Sequence, residues 1–137
     1  MAAVKELIRV EADGSISFGD YELASKTKLQ DFNHRGDLYK VKTFKEITKL
    51  ERNELFVYES VPGTAVCGFS ASAKGVEFQV EGPEDAQITI GLEEETEYQV
   101  AVDGVDTGVI KTNRGGKLSL SVELEGKDSI SVKVVKV

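Results

Sequence analysis

His34 is the sole imidazole of this chain of 137 residues, and Cys67 is its sole thiol. An imidazole titrating near pH ~6.5 is the natural general base, and a thiolate is a natural nucleophile. Covalent catalysis needs such a pair within hydrogen-bond reach, with a third group orienting the base. No Gly-x-Ser-x-Gly elbow supplies another nucleophile. One His and one Cys also leave a structural zinc short of its four ligands. His34 therefore reads as a solvated residue beside a turn. Cys67, in Ala65-Val66-Cys67-Gly68-Phe69 with no cation adjacent, reads as a small buried hydrophobe, and a single cysteine excludes an internal disulfide.

The triplet Arg35-Gly36-Asp37 spells a cell-adhesion tripeptide, but it lies where a hairpin needs Gly and Asp, so it reads as a turn. Glu93-Glu94-Glu95 with Glu97 offers the oxygen ligands that calcium takes. Consecutive residues of an extended chain point in alternating directions, so these carboxylates do not converge. Asp103-Gly104-Val105-Asp106 lacks the Asp-x-Asp-x-Asp-Gly spacing of a calcium loop. The acids could furnish a glycosidase pair, yet no spacing singles one out. Gly115-Gly116 opens onto no helix and so makes no phosphate loop. The sequence thus nominates no catalytic residue, no cofactor and no metal site. With no Trp, sugar-stacking platforms rest on Tyr21, Tyr39, Tyr58 and Tyr98.

Acidic residues outnumber basic ones 24 to 17, for a net charge of −7. Phosphate backbones and anionic membrane surfaces recruit clustered Lys and Arg, so neither nucleic acid nor a membrane is an expected partner. Apolar runs such as Leu55-Phe56-Val57-Tyr58 fall far short of the ~20 residues that span a bilayer. Lys5, Glu6 and Arg9 interrupt any signal-peptide core near the N-terminus. A soluble, cytoplasmic protein is the expectation.

The elements that must position these residues are strands. Val76, Phe78 and Val80 alternate with Glu77, Gln79 and Glu81, and Ile88 and Ile90 with Gln87 and Thr89. Tyr98, Val100 and Val102 share one face. Leu118, Leu120, Val122 and Leu124 alternate with Ser119, Ser121 and Glu123, and Ile130, Val132 and Val134 follow. This period of two marks half-buried strands. Turn formers separate them, among them Gly82-Pro83-Glu84-Asp85, Asp103-Gly104 and Glu125-Gly126-Lys127-Asp128. The fold class is all-β, an antiparallel sandwich of immunoglobulin-like or jelly-roll-like type with at most one short helix. In the first half, Ser15–Phe18 and Tyr21–Leu23 are expected to form a tight hairpin through Gly19-Asp20. Leu29–Phe32 pairs with Leu38–Thr43, and Leu55–Ser60 is a strong strand. Residues 44–51 stay open between two readings. Thr43-Phe44-Lys45-Glu46 fits a capping box opening a short helix, or the stretch is a bulged strand. Residues 1–70 would form a hairpin-rich unit and 76–137 a sandwich unit divided at Ser70–Gly75, or the two are one continuous domain.

Leu92–Leu124, with Tyr98-Gln99-Val100-Ala101-Val102-Asp103-Gly104, Lys111-Thr112-Asn113 and Gly116-Lys117-Leu118-Ser119-Leu120, resembles the C-terminal β-sandwich of polysaccharide-degrading enzymes. The chain with Ile16-Ser17-Phe18-Gly19-Asp20-Tyr21, Leu38-Tyr39-Lys40-Val41-Lys42-Thr43 and Val57-Tyr58-Glu59-Ser60-Val61-Pro62-Gly63-Thr64 is similar to small β proteins of anaerobic bacteria often labelled endosialidase. The first resemblance implies a sandwich with polysaccharide as a candidate ligand. The second implies a free-standing β protein. No catalytic residue carries over: the arginines are only Arg9, Arg35, Arg52 and Arg114, and there is no Ser-x-Asp-x-Gly-x-Thr-Trp box.

Two functional expectations follow. The first is a non-catalytic structural protein that assembles with itself, into filaments or rings, through the apolar strands at its ends, Glu6–Val10 and Ser129–Val137. The second is a β-sandwich module that binds carbohydrate or another ligand.

Overall fold

The computed structural model describes residues 3–137; Met1 and Ala2 lie outside the described residues. Thirteen strands follow one another: β1 (Ile8–Val10), β2 (Ile16–Phe18), β3 (Thr27–His34), β4 (Asp37–Phe44), β5 (Ile47–Arg52), β6 (Leu55–Val61), β7 (Ala65–Ser72), β8 (Gly75–Glu81), β9 (Ala86–Gly91), β10 (Glu97–Val102), β11 (Val105–Lys111), β12 (Lys117–Val122) and β13 (Ile130–Lys136). They form two antiparallel sheets packed as a sandwich. One has the order β1-β2-β7-β8-β13-β10-β11, the other β12-β9-β6-β5-β4-β3. Each sheet mixes strands from before and after residue 76, and one continuous core lies between them. Ser70–Gly75 is no linker; it is the end of β7 and its turn into β8.

The alternation places the core where it points. Phe78, Val80, Ile88, Tyr98, Val100, Leu118, Leu120, Val122, Ile130 and Val132 are all buried, because a strand sends every second side chain to one face. The sheets interlock at Tyr58 of β6. Its ring meets Phe18 edge-on at 5.3 Å and Phe78 at 5.7 Å, and Phe69 stacks on Phe78 at 5.5 Å. Such pairs add about 0.5–1.5 kcal/mol beyond the area they bury.

Strands β3 to β6 form a meander of two-residue turns. Arg35-Gly36 and Asn53-Glu54 both have positive φ at the two central positions, the type I′ geometry whose twist matches the flanking strands. One open reading is decided here in favour of strand, and one expectation is corrected. No helix occurs among the described residues: Lys45-Glu46 is the turn between Phe44 and Ile47, and 47–52 is strand β5. The Thr43 hydroxyl, instead of capping a helix, sits in the core and accepts from the Asp20 amide at 2.9 Å. Nor do Ser15–Phe18 and Tyr21–Leu23 form a hairpin. β2 pairs with β1 and β7, and Tyr21–Leu23 is irregular. Gly19, at φ +99°, brings the chain so close to the Thr64 carbonyl that a Cβ would collide with it, so the glycine serves close packing between layers rather than a reversal.

Candidate functional site

The residues most suggestive of chemistry gather at one end of the sandwich. The β3–β4 turn sets Arg35 against Gly14, where a Cβ would collide with the guanidinium. His34 Nε2 lies 2.9 Å from the Gly14 carbonyl. Asp13 accepts from the Ser15 amide at 2.9 Å and from its hydroxyl at 2.5 Å. The hydroxyl, then the amide, and more weakly the Arg35 charge, hold its carboxyl below the usual range. Asp13, His34, Arg35, Tyr39 and Arg52 line a cleft of about 210 Å³. Arg52, Val57, Phe69 and Ala71 also wall a groove of about 510 Å³ between the sheets, with Leu55, Phe56, Leu92 and Tyr98. That volume lies within the ~300–1,000 Å³ of small-molecule sites.

What the cleft lacks is a reacting pair. The only polar partner of His34 among the described residues is the Gly14 carbonyl, which accepts a hydrogen bond and cannot act as a nucleophile. Cys67 is half-buried on β7. No three His, Cys, Asp or Glu side chains gather to hold a metal ion among the described residues. Glu93 pairs with Lys136, and the Glu95 amide donates to the Asn113 carbonyl at 3.1 Å. Asp103-Gly104 is the type I′ turn between β10 and β11. In the Arg35-Gly36-Asp37 segment, Arg35-Gly36 is the β3–β4 turn and Asp37 the first residue of β4. Tyr58 and Tyr98 are wholly buried and Tyr39 nearly so, so the tyrosines form no row on a sheet face. Burial pushes the Tyr58 phenol well above its usual value.

A second candidate is main chain rather than side chain. The sheets end in four edge strands: β1 and β11 in one, β3 and β12 in the other. An edge exposes unpaired N–H and C=O groups, which proteins blunt with short strands, bulges, charge or Pro. β1 is three residues long. β3 is broken by a bulge at Asp31, whose φ is +59°. β11 pairs irregularly opposite Val100-Ala101. β12 is neither short nor bulged and contains no Pro. Its six residues pair with β9 without a shift, and its one charge is Lys117. Sequence reasoning located β12 but gave no sign that it would be an edge. Of the two terminal strands expected to be free, β1 is an edge strand. The C-terminal strand β13 is in fact central, bonded to β8 on one side and β10 on the other, so it has no edge to offer a neighbour. No helix among the described residues is long and apolar enough to cross a membrane.

Compared with known protein families, with curated proteins and with solved structures, the chain matches none.

Proposed function

We propose that the chain is a non-catalytic structural protein that associates with further copies of itself through a strand edge. The observation that supports this best is β12, an edge of unbroken register with one guarding charge. Pairing it with a strand from another copy satisfies its open main-chain groups and extends the six-stranded sheet. Association of this kind is β-augmentation, in which main-chain bonds give affinity and alternate side chains give selectivity. The partner edge decides between a closed pair and an open filament.

A second reading rests on the groove of about 510 Å³ between the sheets, with Arg52 where it meets the smaller cleft. An apolar groove with a cation at one end suits a ligand carrying an apolar body and an anionic group. The buried tyrosines make a neutral sugar chain a poor fit.

Size-exclusion chromatography with light scattering across a wide concentration range, followed by negative-stain microscopy, tests the first reading. A mass that rises with concentration supports it. A monomer at every concentration removes it and leaves the ligand-binding module.

A further inference from the structure

We infer that two copies pair through β12, antiparallel to one another, about a two-fold axis at Ser121. The inference rests on the proposed self-association and specifies its surface and register. The hydrogen bonds show which residues face outward. Lys117 sends its N–H to Asn113 Oδ1 at 2.9 Å and takes the Asn113 N–H at 3.2 Å, so both its groups point away from β9. The neighbouring Gly116 carbonyl points the other way and accepts from the Leu92 amide. At the far end, the Leu124 amide donates to Asp85 on the β9 side at 3.0 Å. Main-chain groups alternate along an extended strand, so Leu118, Leu120 and Val122 bond β9, while Ser119, Ser121 and Glu123 face outward.

The register follows from what occupies this edge. Asn113 covers it at Lys117, leaving three outward residues open. Only a pair centred on Ser121 uses all three in both copies, with Ser121 opposite its own counterpart and Ser119 opposite Glu123 of the second copy. An axis at Ser119 or Leu120 drives the second copy's chain into Asn113. About six main-chain hydrogen bonds form in this register. The side chains permit the approach. Ser119 and Ser121 are small, and their hydroxyls already bond Thr89 at 3.2 Å and Gln87 at 2.6 Å on the neighbouring strand. The charges favour it as well. Neither Lys117, whose ammonium lies 4.7 Å over the Phe56 ring, nor Glu123 has an ion-pair partner among the described residues. In the pair, each Lys117 lies diagonal to Glu123 of the other copy, a distance long side chains span. Because the same edge serves both copies, the contact is isologous and closes on itself.

The test begins with Ser121→Cys in a Cys67→Ser background. On mild oxidation it should give a disulfide-linked dimer, whereas Ser119→Cys should not, since only position 121 meets itself at a Cα separation near the ~5.5 Å a disulfide takes. Ser121→Pro removes an outward donor without touching the β9 ladder, and Ser121→Asp sets two carboxylates face to face. Either should weaken association by at least ~10-fold, with the fold retained by circular dichroism. Should Ser121→Pro not fold, Ser121→Asp decides. Lys117→Glu should weaken the dimer, and adding Glu123→Lys should restore it. An intact chain that associates equally well with Ser121→Asp overturns the two-fold pair while leaving self-association standing. Failure of Ser121→Cys to cross-link an associating protein overturns the register. A chain monomeric at concentrations on the order of 1 mM overturns both.

Discussion

The two ends of the core are built on different chemistry. Around β8, β10 and β13 the filling is apolar except for Tyr98, whose hydroxyl accepts from the Glu93 amide at 3.2 Å, and Glu81 at the end of β8. Val76, Phe78, Val80, Val100, Ile130, Val132 and Val134 are buried with no polar side chain among them. Around β4, β5 and β6 a chain of hydroxyls runs through the interior. Thr43 Oγ1 lies 2.8 Å from Thr48 Oγ1; Thr48 donates to the Thr64 carbonyl at 2.8 Å and accepts from the Thr64 amide at 3.1 Å. Thr64 Oγ1 in turn meets the Tyr58 hydroxyl at 2.8 Å and Ser60 at 2.7 Å. Thr43, Tyr58, Ser60 and Thr64 are fully buried with Thr48. The apolar end gains from area removed from water and tolerates small errors of position. The hydroxyl end gains little net energy per bond, yet each lost partner strands another buried group. The first kind of core gives stability and the second fixes one arrangement of the loops before β3 and after β6.

Phe78→Ala should make the largest difference, destabilising by roughly 3–5 kcal/mol in denaturant unfolding, because its ring contacts both Tyr58 and Phe69. Next comes Thr48→Val, nearly isosteric, which should cost about 1–3 kcal/mol by orphaning the Thr64 amide and carbonyl and the Thr43 hydroxyl. Val132→Thr, the mirror-image substitution, places an unpartnered hydroxyl in the apolar end and should cost a similar amount. If both swaps are neutral, the contrast between the two ends is an accident of composition.

Glu81, at the end of β8 opposite Ala65, gives a pH-dependent test. It is buried, and its Oε1 has no hydrogen-bond partner among the described residues. Burial first, with Asp128 and Glu22 adding to it, raises its carboxyl above the usual range. A carboxyl raised on folding contributes stability below its unfolded value near ~4.3, and that contribution is lost as pH rises through the folded value. Glu81→Gln should therefore raise the melting temperature at pH 7 more than at pH 4. A gain independent of pH would assign the effect to shape rather than charge. The smallest effect is expected at Ser119→Ala on the open edge, about 0.5 kcal/mol or less, against roughly 2–5 kcal/mol for the inward neighbour Leu120→Ala.

How much of this was legible beforehand differs between the same two regions. In β8, β9, β10, β12 and β13 alternation named the buried apolar residues, but it put Glu81 on the outer face with Glu77 and Gln79, and the structure buries it. In β7 alternation failed: Ala65 and Val66 are both buried and the pairing shifts after Cys67, so the run reads as neither strand nor turn. β5 was obscured by Thr43-Phe44-Lys45-Glu46, whose local signal for a helix start lost to cross-strand pairing of Phe44 with Ile47. Tyr21-Glu22-Leu23 has strand-like composition, but Gly19 turns the chain into the Thr64 loop instead. The cleft of His34, Arg35 and Arg52 had no signature, since Asp13 and Arg52 reach it from β-turns and strands far apart in sequence.

The sequence by itself determined that the chain is all-β, where most strands lie and which face of each is buried, because those properties follow from a two-residue period and from turn residues read locally. Only the tertiary structure decided which strand neighbours which. Long-range pairing drew the C-terminal strand into the middle of one sheet and left Lys117–Val122 at the rim of the other. A strand carries the same alternation in either place. What distinguishes an interior strand from an edge is the direction its main-chain groups face and what meets them, and the main chain is the same at every position in the sequence.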